Sequence, residues 1–321
     1  MQVPPFDREL AGWLPQPRLA DLPLAESRAL APLAQDAALA RGGRFEVSWR
    51  AAPGAPGQDP LPLLVCQPAG GAAPRPALYY IHGGGLVTGN ATSGIDLALD
   101  WAERFGLAVV SVDYRLAPET PHPGPVEDCY RGLVWLSAQA GELGVDPGRV
   151  VVAGVSAGGG LAAATALMAR DRSGPPVWAQ LLASPMLDDR NNSASARQMV
   201  GSVWDARDNE IAWTALLGAE RGGPGVSPYA APARAADLAG LPPTFLDIGS
   251  AETFRDEVVD YAARLWRAGG DCELHVWPGG FHGFQATAPA AALSRAAAGC
   301  QAAWLERVLR QPPAGAAGGP G

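Results

Sequence analysis

The sequence GVSAG, residues 154–158, places Ser156 between two glycines in the pattern G-x-S-x-G. It follows the apolar run 149–155 directly and opens a segment that favours a helix, 157–171. A serine on such a strand-to-helix turn protrudes from the edge of a sheet, and small neighbours let strand and helix pack closely around it. The alternative is a glycine-rich turn without chemistry. The context favours Ser156 as a nucleophile.

A serine hydroxyl needs a general base, and the chain has four histidines. His282 lies in the loop PGGFHGF, after the last predicted strand. Because parallel strands deliver the loops that follow them to one edge of a sheet, His282 and Ser156 should share that edge. His275 lies inside a predicted strand, His122 in a proline-rich loop and His82 beside a glycine triplet. His282 is therefore the candidate base.

The base needs a carboxylate that orients the imidazole and stabilises its cation. The segment DIGSAETFRDE, at the end of the seventh predicted strand, offers three candidates. Asp247 lies in the strand, Glu252 in the loop that follows it, and Asp256 four residues further. All three lie between the serine and the histidine in the chain, which is one known order for such a triad.

The stretch IHGGGLVTGN, residues 81–90, contains three consecutive glycines and a fourth at residue 89, which is typical of a loop that binds a ligand through its backbone. A glycine triplet after a strand permits close backbone approach, either to a phosphate or to an oxyanion formed during acyl transfer. The spacing here is G-x-G-x-x-x-G, which differs from the dinucleotide pattern G-x-G-x-x-G. The oxyanion interpretation also explains the serine. It predicts that the N–H groups of Gly83, Gly84 and Ala157 bind one oxygen.

The composition excludes several classes of function. All 24 basic residues are arginine, so lysine-dependent chemistry, including Schiff bases and the P-loop, is absent. The net charge of −8 and the lack of a basic run predict no nucleic-acid or membrane partner. Four widely spaced cysteines form no metal signature. We expect a cytoplasmic monomer or homodimer without metal or cofactor, which acts on a small molecule.

The elements that must position these residues alternate along most of the chain. Alternating strands and helices predict an α/β fold with a mostly parallel sheet covered on both faces. The predicted strands are 45–49, 61–66, 77–82, 107–114, 149–155, 178–185, 243–249 and 272–277. The predicted helices of this part are 93–105, 126–140, 157–171, 254–268 and 287–310.

Two segments fall outside this alternation, namely 1–43 and 186–242. The first is rich in Ala and Leu and predicts helices, the last of them ended by the Gly-Gly pair at 42–43. We expect both segments to form a helical cap over one edge of a core that spans 44–310. The composition of 311–321 predicts a disordered tail.

Five motifs stand in one order along the chain: HGGG (82–85), DYRLAPE (113–119), GVSAGG (154–159), GSAETFRDE (249–257) and PGGFHGF (278–284). Together they resemble the hormone-sensitive-lipase-like, or family IV, carboxylesterases of the α/β-hydrolase superfamily, which carry an N-terminal cap. The resemblance spans about residues 45–285.

The resemblance implies an α/β-hydrolase fold with an eight-stranded sheet, and a serine carboxylesterase that acts on short- to medium-chain acyl esters. It implies Ser156 as nucleophile and His282 as base. Many members carry G-E-x-D-P-L-x-D-E, and alignment with GSAETFRDE puts Glu252 at the acid position, where they have aspartate. His82 and the motif DYRLAPE, with Asp113, Arg115 and Glu119, resemble structural parts of the family.

Two alternatives remain at this level. An amidase, lactonase or deacetylase would use the same three residues. A small-molecule receptor on the same fold would lack the catalytic histidine, as the plant gibberellin receptors do, whereas His282 is present here.

Overall fold

One eight-stranded sheet forms the centre of the computed structural model, which describes residues 2–13, 18–54, 57, 59–70 and 73–312. The strands are β1 (Phe45–Ala52), β2 (Leu61–Pro68), β3 (Arg75–Ile81), β4 (Ala108–Val112), β5 (Val145–Val155), β6 (Ala179–Ala183), β7 (Thr244–Gly249) and β8 (Cys272–Trp277).

The strand order is β1-β2-β4-β3-β5-β6-β7-β8. Strand β2 runs antiparallel to both of its neighbours, and the other pairs are parallel. The predicted mostly parallel sheet is therefore confirmed, and each predicted strand has its counterpart. The second half of the central strand β5, residues 150–155, is apolar without alternation because both faces are covered: Val150 and Val152 face one core cluster, and Val151 and Ala153 face the other.

Helices cover both faces of the sheet. The helices are α1 (Leu24–Ala29), α2 (Asp36–Leu39), α3 (Ile95–Phe105), α4 (Gly124–Ala138), α5 (Ala157–Asp171), α6 (Ala194–Gln198), α7 (Ala206–Leu217), α8 (Arg255–Arg267), α9 (Phe284–Thr287) and α10 (Ala292–Leu309). Helices α4, α5 and α8 pack into one core cluster, and α3 and α10 pack into the other. The five long helices predicted between and after the strands are confirmed.

The N-terminal segment differs from the helices expected there. Only the short helices α1 and α2 and two single 3-10 turns, Ala11–Trp13 and Leu19–Asp21, occur among the described residues of 1–43. Pro32 cannot continue a helix through the Ala- and Leu-rich stretch, because its ring removes an N–H donor and clashes with the preceding turn. Gly42 and Gly43 adopt φ of 70° and 86°, which ends the last turn.

Most of the predicted tail, residues 313–321, lies outside the described residues, and the last helix ends at Leu309. Within the described part of the chain, none of the helices combines the length and apolarity that a membrane span requires. All four cysteines are free thiols; Cys66 and Cys129 are buried.

The topology brings four loops to one edge of the sheet. The strands β3 and β5 are parallel neighbours, with Ile81 opposite Gly154. The strands β7 and β8 end together, with Gly249 opposite Trp277. The glycine triplet, the serine turn and the loops with Glu252 and His282 thus leave the sheet on the same side.

Candidate active site

Ser156 sits on a tight turn between β5 and α5. Its backbone adopts φ 59° and ψ −124°, a conformation that L-residues rarely occupy and that stores strain. Gly154 and Gly158 allow the turn: an added Cβ would lie 2.2 Å from the Gly158 oxygen in the first case and 2.1 Å from the Ile81 oxygen in the second. The two glycines of G-x-S-x-G are therefore a steric requirement, and Ser156 itself remains 6% exposed.

The imidazole of His282 bridges Ser156 and Glu252. Its Nε2 lies 2.9 Å from Ser156 Oγ, and its Nδ1 lies 2.6 Å from Glu252 Oε1. The serine and the histidine are 126 residues apart in the chain. The structure thus brings together Ser156, His282 and Glu252, the residues that the motifs predict as nucleophile, base and acid.

Two aromatic rings flank this imidazole. Phe254 meets it edge-on with centroids 5.2 Å apart, and the Trp204 ring lies 6.0 Å away at a 40° tilt. The imidazole is 11% exposed and Glu252 is fully buried. Rotation of the imidazole is therefore restricted by packing as well as by its two hydrogen bonds.

The second oxygen of Glu252 has its own partners. Oε2 accepts hydrogen bonds from Ser184 Oγ at 3.2 Å and from the Gly249 N–H at 3.3 Å. A buried carboxylate needs such donors, because burial without them penalises its charged form. Sequence reasoning missed Ser184; the signal available was its position at the end of β6, on the same sheet edge.

The hydrogen-bond directions define a chemical capability. Glu252 accepts the Nδ1 proton, which leaves the lone pair of Nε2 directed at the Ser156 hydroxyl. The hydroxyl then donates to Nε2. This arrangement can transfer a proton from serine to histidine while the buried carboxylate stabilises the cation that forms.

The glycine triplet lies beside the serine turn. A Cβ added to Gly83 would lie 3.4 Å from Ser156 Cβ, and Gly84 adopts φ 109°. Among the described residues, no backbone hydrogen bond uses the N–H of Gly83, Gly84 or Ala157 as its donor. The N–H groups of the glycine loop and of the residue after the serine are thus without a backbone acceptor among the described residues.

His82 supports the glycine loop from the protein interior. It is fully buried, its ring stacks on Tyr114 with centroids 4.1 Å apart, and its Nδ1–H donates to the Gly83 oxygen at 2.8 Å. Burial lowers the pKa of His82 to about 4, so the ring is neutral at physiological pH. Its structural role agrees with the expectation for this residue.

The DYRLAPE segment also forms supporting contacts. Asp113 accepts the Ala91 N–H at 2.9 Å, and Arg115 makes a two-pronged ion pair with buried Asp128, each contact 2.8 Å long. Glu119 binds Arg28 of α1. The segment thus braces the glycine loop and links it to the N-terminal segment.

The other two candidate acids lie elsewhere. Asp256, in the first turn of α8, accepts the Ser195 N–H at 2.7 Å and pairs with Arg255. Asp247 is buried in β7, where its partners are Trp277, Gln285 and Gln301. Neither contacts His282, so Glu252 is the carboxylate that the imidazole contacts.

The remaining histidines and Trp213 lie away from the serine. The His275 ring stacks between Phe245 and Trp277, and the His122 N–H donates to the Leu216 oxygen. Trp213 is 1% exposed and belongs to the main core cluster. Trp204 lies in the same segment, 186–242, and its ring contacts the imidazole.

Comparison with known proteins shows which family the chain matches. A family described by the alpha/beta hydrolase fold matches residues 78–286. Carboxylesterase NlhH from Mycobacterium tuberculosis is 36% identical over 259 residues, which cover 79% of this chain and 80% of the relative. An acetyl-hydrolase from Streptomyces hygroscopicus is 35% identical over 213 residues, 64% of this chain and 67% of the relative.

Solved structures agree with these relatives. A bacterial heroin esterase superposes with a TM-score of 0.88 at 42% identity and covers 95% of this chain and 98% of its own. A hyperthermophilic esterase from the archaeon Pyrobaculum calidifontis superposes with a TM-score of 0.81 at 32% identity, over 94% of this chain and 98% of its own.

The chain belongs to the alpha/beta hydrolase family, and the resemblance to its hormone-sensitive-lipase-like group is confirmed. Within this family the protein is a carboxylic ester hydrolase, the class to which the carboxylesterase and the two solved esterases named above belong.

Proposed function

We propose that the protein hydrolyses short- to medium-chain acyl esters in two steps, through an acyl-enzyme intermediate on Ser156. The observation that carries the proposal is the continuous hydrogen-bonded chain from buried Glu252 through His282 to the serine hydroxyl. Each link joins groups of the right type within hydrogen-bond distance, which is the geometric requirement for an activated nucleophile.

In the first step, Ser156 Oγ forms a bond to the ester carbonyl carbon while its proton moves to His282 Nε2. The carbonyl π electrons move onto oxygen, and the carbon–alkoxy bond then breaks as the leaving alkoxide takes the proton from Nε2. In the second step water attacks the acyl-enzyme, again with its proton passed to Nε2. The acid leaves and Ser156 regains its proton.

The charge that develops on the carbonyl oxygen needs hydrogen-bond donors. We assign the N–H groups of Gly83, Gly84 and Ala157 to this role. Ala157 follows the serine, Gly83 lies beside it and Gly84 is the next residue of the same loop, and none of the three N–H groups donates a backbone hydrogen bond among the described residues. Loss of one such donor typically costs about 3–4 kcal/mol in the transition state.

We propose that the N-terminal segment and residues 186–242 together cover the site. Arg18 donates to Asp205 at 2.8 Å, and the Ala20 N–H donates to Asp208 at 2.7 Å, so the segment is joined to the start of α7. Arg28 donates to the Val87 oxygen, which follows the glycine triplet. These contacts join the N-terminal segment both to the segment 186–242 and to the loop with the glycine triplet, which supports its place in the cover.

Trp204 is the residue that supports a limited acyl length. The edge of its ring rests on Gly85, where an added Cβ would lie 2.3 Å from Trp204 Cη2. The same ring lies 6.0 Å from the His282 ring. Its backbone is fixed because its carbonyl oxygen accepts the Thr253 hydroxyl at 2.5 Å. The indole therefore contacts both the glycine loop and the imidazole, and we infer that it forms one wall of the acyl site.

We expect Trp204→Ala to shift the preference towards longer acyl chains. The ratio of kcat/KM for p-nitrophenyl octanoate to that for the acetate should rise by about tenfold, since each methylene group accommodated is worth about 1–3 kcal/mol. The matched control is Trp266→Ala, which removes a tryptophan that is 48% exposed on α8. An unchanged ratio in Trp204→Ala, with the fold intact, would exclude this wall from the acyl site.

The same panel, extended to a p-nitroanilide and a lactone, separates ester hydrolysis from the amidase and lactonase alternatives. Turnover of acyl p-nitrophenyl esters at rates far above those of the anilide is the expected result. A clear preference for the anilide or lactone would overturn the ester assignment for this site.

Removal of metal ions should leave turnover unchanged, because the proposed mechanism assigns every step to protein groups and water. In the described part of the chain, no group of three or more His, Cys, Asp or Glu residues is placed to hold a metal ion. The measurement is kcat/KM before and after dialysis against EDTA. Loss of activity that zinc restores would contradict the mechanism.

A further inference from the structure

A second buried carboxyl group, that of Asp247, lies in the strand that leads to the proposed acid Glu252. Asp247 is the fourth residue of β7, and its side chain is fully buried. Its Oδ2 accepts three side-chain N–H groups: from Trp277 at 3.2 Å, Gln285 at 3.1 Å and Gln301 at 2.9 Å. Three donors on one buried oxygen make this group a junction between separate elements, and the proposed mechanism does not use it.

The three donors surround the loop that carries His282. Trp277 is the last residue of β8, directly before the loop 278–283. Gln285 lies in α9, directly after the loop, and Gln301 lies in α10, which packs on this face of the sheet. One oxygen thus ties both ends of the loop to β7.

The strand β7 also leads into the turn that carries Glu252. Two further contacts join this turn to the His282 loop: the Ala251 N–H donates to the Gly280 oxygen at 3.1 Å, and the Gly279 N–H donates to Ser250 Oγ at 2.8 Å. The relative position of Glu252 and His282 therefore depends on how the two loops are joined at their bases.

We propose that Asp247 is a positioning residue, which holds the His282 loop in register with Glu252 so that the imidazole keeps a partner on each nitrogen. This inference rests on the role of His282 proposed above. Asp247 contacts neither the imidazole nor the serine, and it acts through the ends of the loop.

The surroundings of Asp247 make its protonated form more stable than that of an exposed aspartate. Burial raises the pKa of Asp247 to about 7; the nearby charge of Glu252 acts in the same direction, whereas the hydrogen bonds from Trp277 and Gln301 and the nearby His275 oppose it. Asp247 Oδ1 and Gln301 Oε1 are buried acceptors without a partner among the described residues. When Oδ1 carries the proton, it is a hydrogen-bond donor and no longer a buried acceptor that lacks a partner.

Substitution at Asp247 tests the proposal. Asp247→Ala removes the shared acceptor and should lower kcat by about tenfold to a hundredfold with KM little changed, because displacement of a reacting group by about 1 Å has effects of this size. Asp247→Asn keeps an acceptor oxygen of the same reach and should recover most of the lost turnover. Equal kcat in the wild type and Asp247→Ala, or a loss in Asp247→Asn as large as that in Asp247→Ala, would overturn the proposal.

The pH dependence of stability gives a second readout. A folded pKa above the unfolded value means that the native state binds the extra proton, so the stability from this group is complete below the unfolded value and is lost as pH rises towards 7. The Tm of Asp247→Asn minus that of the wild type should therefore increase between pH 4 and pH 7 and then level off. If this difference in Tm decreases over the range, the folded protein lowers the pKa of Asp247 instead of raising it, and a protonated Asp247 is excluded.

Two controls separate this inference from the proposed function. Thr244→Val removes a buried hydroxyl at the opposite end of β7, where Thr244 bonds with Gln180, and should lower Tm without changing kcat. His282→Gln should abolish turnover; if it does not, the proposed function fails whatever Asp247 does. Should Asp247→Ala not fold, Gln285→Met and Gln301→Met each remove one donor and should each lower kcat by a smaller factor, and unchanged kcat in both would overturn the proposal.

Discussion

Replacing Ser156 by alanine should lower kcat for p-nitrophenyl acetate by roughly 10⁶-fold, which is the scale of losing the nucleophile from a triad that acts as a unit. The substitution removes only Oγ, the atom that lies 2.9 Å from His282 Nε2. The backbone of the turn and the three N–H groups near the serine stay in place. Residual hydrolysis above the rate in water would come from these donors and from substrate binding.

Covalent labelling locates the intermediate independently of rate. A fluorophosphonate probe should modify Ser156 and leave the alanine variant unlabelled. Trypsin cleaves after Arg149 and Arg170, and the peptide 150–170 contains Ser156 as its one serine, so mass spectrometry assigns the site directly. The matched control is Ser111→Ala, a buried serine of β4 whose hydroxyl bonds to the Ala91 oxygen and whose loss should leave labelling intact. Labelling that survives in Ser156→Ala would place the nucleophile elsewhere.

Replacing Glu252 by glutamine should lower kcat by about 10²–10⁴-fold, since the analogous change in a serine triad costs up to about 10⁴. Glutamine preserves volume but removes the charge that stabilises the imidazolium. Its amide can also donate to Nδ1, which favours the tautomer with the proton on Nε2 and removes the lone pair that faces Ser156. The fall should appear in kcat, because the carboxylate is fully buried behind the imidazole and does not face the substrate.

Two further variants separate charge from position. Glu252→Asp keeps the charge but shortens the reach by one methylene group, so it should lose less than Glu252→Gln. Asp256→Asn should be mild, because Asp256 bonds to the Ser195 N–H and Arg255 and not to His282. A folded Asp256→Asn variant that loses turnover while Glu252→Gln keeps it would assign the acid to Asp256.

The same geometry explains why losing the contact between Glu252 and His282 should cost more than losing another partner of Glu252. Glu252 Oε2 has two donors, Ser184 Oγ and the Gly249 N–H, at 3.2 and 3.3 Å, and its bond to His282 is 2.6 Å. Loss of one neutral donor from a buried group costs about 1–3 kcal/mol. The imidazole contact carries the charge that forms during the reaction, which is why it dominates.

Local chemistry in the sequence determined the fold class and the serine. The apolar runs indicated the strands, most clearly the central parallel ones, because a strand buried on both faces needs unbroken hydrophobic surface. The turn at Ser156 was equally local: its conformation and the close approach of strand to helix exclude any Cβ at Gly154 and Gly158. The N-terminal segment was the exception, where Ala- and Leu-rich composition indicated helices that Pro32 interrupts.

Tertiary structure decided the partners of His282. Glu252 and Asp256 are four residues apart on one segment, and Asp247 lies shortly before them in β7. Spacing alone therefore did not decide which of the three carboxylates contacts His282. The choice depends on how the loop after β7 leaves the sheet next to the loop after β8, and on Ser184 from β6, which the sheet order places beside it. The contact of Trp204 with Gly85 likewise joins residues that are far apart in the chain. Contacts between residues this far apart in the chain depend on strand order and loop direction, which no local pattern of residue types encodes.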